Sequence, residues 1–156
     1  MTAIHIKFPA LTLKAGPRAF ARIRQEGLSA QQVGTLPGAA GGPKALGIQG
    51  LDLALFGEWL PTAPRERSLI GASVGSWRFA SACLPDAAQG IRRLGQLYTE
   101  QDFAKGVSMA QISQSSQRML DELLDGQDER ILDNPDYRLN IMVVKSHGLL
   151  ADDHRG

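Results

Sequence analysis

Gly71-Ala72-Ser73-Val74-Gly75 has the G-x-S-x-G spacing. Glycines two residues before and after a serine permit a sharp strand-to-helix turn that lifts the hydroxyl out of a sheet, as acyl transfer requires of a nucleophile. Ser73 is therefore the candidate nucleophile, with Gly71 and Gly75 as the glycines of its turn. A helix starting just after Ser73 would also direct the positive end of its dipole at a developing oxyanion. A second small-residue run, Gly38-Ala39-Ala40-Gly41-Gly42-Pro43-Lys44, lies upstream. Small residues let backbone N–H groups approach a substrate oxygen, and an oxyanion hole made this way is worth about 3 kcal/mol. Pro43 has no N–H, so the candidate donors are Ala40, Gly41 and Gly42, with Lys44 supporting the loop. A phosphate loop does not fit here. Pro43 separates Gly42 from Lys44, Ala45 stands where Ser or Thr is needed, and no G-x-G-x-x-G occurs.

Both runs need elements to hold them. The chain predicts a strand over 32–36 ended by Pro37-Gly38, then a helix over 43–60 with Leu46, Leu53, Phe56 and Leu60 on one face. Leu51 and Leu55 widen that face, and Gly47 and Gly50 imply a close backbone approach. A second strand over 67–71 leads into Ser73, and a helix follows to about Cys83, before Pro85. Helices are expected over 87–98 and 109–124, the latter opened by a Ser108–Gln111 capping box and carrying Met109, Ile112, Met119, Leu120 and Leu123 on one side. Leu139 to Val144 reads as a buried parallel strand. Ahead of these, Ile4, Ile6 and Phe8 alternate as an extended lead-in, and Pro17 opens a helix stopped by Gly27. Strands alternating with helices imply an α/β fold with a mainly parallel sheet and helices on both faces. Both candidate loops then leave the carboxyl ends of strands, where ligands gather in such sheets.

Taken together, the two runs resemble the patatin-like phospholipase family, whose D-G-G-G-x-R/K-G loop supplies an oxyanion hole and whose G-x-S-x-G elbow supplies the nucleophile. Gly41-Gly42-Pro43-Lys44 matches the G-G-x-R/K portion, and Ser73 matches the elbow serine. The stretches AAGGPKALGIQGLD and LIGASVGSWRFA are most similar to a bacterial branch of that family. Ala39, Ala40 and Ala45 depart from the wider pattern and leave open which amides donate. The resemblance implies a partial patatin-like three-layer fold, with residues 1–156 forming a single incomplete acylhydrolase domain. It further implies a serine hydrolase of phospholipid or other acyl esters, a role in lipid degradation, an acyl-serine intermediate and peripheral membrane contact.

The family pairs its serine with an aspartate in a downstream D-G-G or D-G-A motif, which acts as the base. No such motif follows Ser73 here. Asp125-Gly126 is followed by Gln127 and fits a solvated turn, while Asp152 and Asp153 have no glycine after them. The chain is thus expected to be a truncated member, with an open apolar sheet edge prone to self-association. An inactive fragment, or an interaction module keeping a hydrolase-like shell, is the alternative. A histidine triad of Ser73, Asp133 or Asp136, and His147 has the chain order of α/β-hydrolases but needs more strands than the sequence offers. His5 and His154 lie near the termini and read as solvent-exposed.

Bulk composition is consistent with this. The 156 residues carry a net charge of +1, which gives no footprint for nucleic acid. Arg18, Arg22 and Arg24, interrupted by Glu26, read as a solvated helix face. Cys83, alone, cannot form an internal disulfide and reads as a small buried hydrophobe, so the expected location is cytoplasmic. No run reaches the ~20 apolar residues of a membrane span. Trp59 and Trp77 read as core, and none of the motifs requires a metal or cofactor.

Overall fold

Arg67–Ala72 forms the central strand of a three-stranded parallel sheet in the computed structural model, which describes residues 12–101 and 106–145. In chain order the elements are α1 (Pro17–Glu26), β1 (Thr35–Gly38), α2 (Gln49–Ala54), β2 (Arg67–Ala72), α3 (Val74–Ala82), α4 (Ala87–Thr99), α5 (Met109–Leu124), α6 (Asp128–Leu132) and β3 (Tyr137–Met142). The strand order is β1-β2-β3, with Thr35 opposite Ser68 and Arg67 opposite Tyr137. The α/β class and the parallel sheet agree with the sequence. The extended lead-in and all three histidines lie outside the described residues.

The core lies between the sheet and α3. Leu69, Phe79, Ala80, Cys83 and Tyr137 are buried together with Phe56, Leu60 and Ile91, and Phe56 meets the rings of Phe79 and Tyr137 edge-on at 5.9 and 5.7 Å. Along β2, Arg67, Leu69 and Gly71 are buried, whereas Ile70 between them is exposed. Thr35, Pro37, Arg138 and Asn140 are exposed on the neighbouring strands in the same alternation. Among the described residues, then, one face of the sheet is packed and the other is open, which corrects the expectation of helices on both faces. The strand order supplies the reason. When successive parallel strands are added in one direction, right-handed crossovers all fall on the same side.

Other departures are local. β1 starts later than expected and runs through Pro37-Gly38, a place open to proline because β1 is an edge strand. The helix expected over 43–60 is broken into a 3-10 stretch (Gly42–Ile48), α2, a π turn (Leu55–Trp59) and another 3-10 turn (Leu60–Thr62). The early Pro43 and the poor helix formers Gly47 and Gly50 weaken a single regular helix here. Nothing lies within 4 Å of a Cβ built at Gly47 or Gly50, so they mediate no close approach. The buried face carries Asp52, Phe56 and Leu60, while Leu51 is exposed. β3 begins two residues earlier than expected, and Val143 and Val144 are 82% and 96% exposed beyond its end. α5 matches its expected limits and has its capping box, but Met109 is exposed; Met119 and Leu123 are its buried residues. Trp59 and Trp77 are only partly buried.

Candidate active site

Ser73 follows β2 directly and adopts φ 51°, ψ −125°. A residue with a Cβ rarely visits that region, and holding one there costs roughly 1–3 kcal/mol. Asp125, the other described non-glycine residue at positive φ, sits in the ordinary left-handed conformation at the end of α5. The strain is therefore particular to the turn between β2 and α3. Ser73 is exposed, while Val74, Gly75 and Ser76 after it are buried.

Three glycines impose this shape. A Cβ at Gly71 would lie 2.5 Å from Ser76 Cα, so β2 and the first turn of α3 can close up only with hydrogen there. At Gly75 a Cβ would stand 2.1 Å from the Gly38 carbonyl oxygen and 3.0 Å from that of Ala39. At Gly38 it would meet the Phe79 ring at 2.6 Å. The first turn of α3 is thus pressed onto the end of β1, and the loop leaving β1 begins beside Ser73 at the same rim of the sheet. From the sequence Gly38 reads only as a strand end and the start of the small-residue run, without this packing role. The available signal was its position, one parallel strand before the elbow and opposite Gly71.

In that loop, Ala40 and Gly41 are exposed and Gly42 is half-buried, with φ +53°. No turn or cap hydrogen bond among the described residues uses the amides of Ala40, Gly41 or Gly42, so these donors are unspent. The Lys44 amide closes a turn onto Gly41 O at 3.3 Å, and its exposed side chain forms no ion pair among the described residues. The Tyr98 hydroxyl lies 3.9 Å from where a Gly42 Cβ would be.

Behind the elbow, Arg78 of α3 binds Asp52 of α2 through two hydrogen bonds, Nε to Oδ2 at 2.7 Å and Nη2 to Oδ1 at 2.6 Å. Both side chains are largely buried. The pair escaped sequence reasoning because Asp52 lies between leucines on a helix expected to bury only apolar groups. Next to it, a chamber of about 20 Å³ is bounded by Val74, Arg78, Leu94 and Tyr98, room for about one water and not for an acyl chain. A wider cleft of about 500 Å³, lined by Arg67, Asp86, Asp136 and Tyr137, opens at the other end of the sheet. Ser76, one turn beyond Ser73, has a buried hydroxyl with no hydrogen-bond partner.

No carboxylate among the described residues hydrogen-bonds the Ser73 hydroxyl. Asp133 and Asp136 precede β3, and the Asp136 carbonyl accepts the Arg67 amide at 2.8 Å where β2 begins. Six residues of β2, at about 3.3 Å each, put them roughly 20 Å from Ser73, at the opposite rim. Neither can serve in a triad with it. Asp125, at the left-handed end of α5, faces solvent and pairs loosely with Arg93 at 3.4 Å. Burial pushes the Cys83 thiol up to about 12, so it stays protonated at neutral pH and is no competing nucleophile.

No family model matches the chain, and no curated protein or solved structure is significantly similar to it.

Among the described residues, no group of three or more His, Cys, Asp or Glu side chains could hold a metal ion, and no helix is long and apolar enough to cross a membrane.

Proposed function

We propose that this chain has the framework of a patatin-like serine acylhydrolase, in which Ser73 attacks an acyl ester, of a phospholipid or another lipid. The observation that carries the proposal is the strained, exposed Ser73 held against the end of β1 by Gly75. In the proposed reaction the hydroxyl adds to the ester carbonyl, its proton passes to a carboxylate base, and the adduct collapses with that proton handed to the departing oxygen, so that the alcohol leaves and the acyl group stays on Ser73. Water then releases the acyl group from Ser73. The oxyanion would be met by the unspent amides of Ala40, Gly41 and Gly42 and by the amino end of α3. The acyl chain would lie outside the one-water chamber behind the elbow. A cytoplasmic location suits a chain whose lone thiol is buried and unpaired.

The base is the component that the described residues do not provide, and this favours a second reading. Here the same shell acts as an interaction module without hydrolysis, and the backbone strain at Ser73 is a relic of the framework. A fluorophosphonate probe separates the two, because it labels only an activated serine. The hydrolase reading expects rapid labelling of the full chain, none in Ser73→Ala, and at least a tenfold loss in Gly75→Ala, whose methyl would push α3 off β1. Equal labelling of wild type and Ser73→Ala would leave the non-catalytic shell.

A further inference from the structure

No residue of α1 is fully buried: Phe20 is 48% exposed and Ile23 is half-buried. By helical period, Ala19, Phe20 and Ile23 share one side with Arg24 at its border, while Arg18, Arg22 and Gln25 lie on the other. Flanking the helix, Leu13 and Leu28 are also exposed, at 60% and 41%. Water is an unfavourable medium for an apolar strip of this kind. A helix whose stability came from packing would have turned it toward the sheet.

The charges are equally one-sided. Lys14, Arg18, Arg22 and Arg24 face a single carboxylate, Glu26, in this segment, although the whole chain carries only +1. The rest of the molecule is therefore slightly net acidic, and the chain's excess positive charge sits in this segment. Arg22 is paired with Glu26 at 2.9 Å, and Arg24 lies over the Phe20 ring at 5.8 Å. Lys14 and Arg18 have no carboxylate partner among the described residues.

We infer that α1 is an interfacial anchor that lies flat on an anionic lipid bilayer, with Phe20 and Ile23 in the headgroup–acyl boundary and its cations on lipid phosphates. An apolar strip beside a cationic one matches such a surface on both counts. Each cation near an anionic leaflet raises partitioning about fivefold, and the effect is screened by salt. The inference is independent of Ser73, since a surface anchor works with or without hydrolysis.

The test is co-sedimentation of the full chain with phosphatidylglycerol or phosphatidylcholine vesicles. Binding is expected to the first only, and to fall steeply between low and high salt. Lys14→Glu with Arg18→Glu should weaken it about 25-fold or more, and Phe20→Asp should weaken it while leaving every cation in place. Arg92→Glu with Arg118→Glu, an equal charge change on exposed residues of α4 and α5, should alter it less than twofold. Since no substituted residue of this segment is buried, the variants should keep the wild-type circular dichroism and the wild-type level of Ser73 labelling. Equal binding to both lipids, no binding to either, or an equal loss in the α4–α5 control would overturn the inference.

Discussion

At Ser73, chemistry and conformation are tied to one backbone angle. Ser73 is exposed at a positive φ with ψ near −125°, which costs roughly 1–3 kcal/mol that the surrounding contacts must hold. Glycine relieves that cost but adds about 0.5–1 kcal/mol of unfolded-chain entropy. Ser73→Gly is therefore expected to stabilise the fold by about 1 kcal/mol, a rise of roughly 2–4 °C in melting temperature for a chain this size. Ser73→Ala keeps the Cβ and should show no gain. Thermal melts of the two variants decide it, and identical midpoints would mean that the turn stores no strain. Cys83 follows a different rule. Its folded form holds the proton to about 12 against an ordinary value of 9.0, so its stabilising effect is intact below 9.0 and is lost as pH climbs from there toward 12.

Among the elements, α2 and α3 are joined by a charge pair where apolar packing was expected. The two hydrogen bonds between Asp52 and Arg78 fix the side of α3 that faces α2, and the Arg78 guanidinium also lies over Phe79 at 5.7 Å. Removing one partner leaves the other buried and uncompensated, which costs about 3–5 kcal/mol, whereas removing both can be nearly neutral. Asp52→Leu should thus lower stability by about that amount, and Asp52→Leu with Arg78→Met should recover most of it. Urea unfolding of the single and double variants measures the difference. Additive losses would show that the pair contributes little. The irregular helical stretch before β2 belongs to this scale as well. Across its α, π and 3-10 segments, Asp52, Phe56 and Leu60 stay on one inward side at i, i+4, i+8 spacing and Leu51 is left out, so the inward side is narrower than the run of leucines suggests.

For the whole molecule the open sheet matters most. Ile141 and Met142 are 56% and 64% exposed on β3, which pairs only with β2 among the described residues. An apolar strand with unpaired backbone groups invites another strand. Self-association rising with concentration is expected, and Ile141→Lys with Val143→Lys should suppress it without lowering the melting temperature. Sedimentation velocity tests this, and a monomer at all concentrations in the wild type would refute it.

The residues alone determined much of this molecule. G-x-S-x-G located the strand-to-helix turn, because only glycine tolerates the approaches on either side of Ser73. Capping chemistry placed the start of α5, because Ser108 and Gln111 satisfy local amides whatever lies around them. Three things were left to tertiary structure: the side of the sheet that is covered, the pairing of Asp52 with Arg78, and the seating of α3 on Gly38. Each depends on how distant segments meet, and strand order and crossover direction set that geometry while residue pattern does not. The same cause moved Asp133 and Asp136 out of contention. Their position in the chain suited a triad, but a parallel β3 puts them at the rim opposite Ser73.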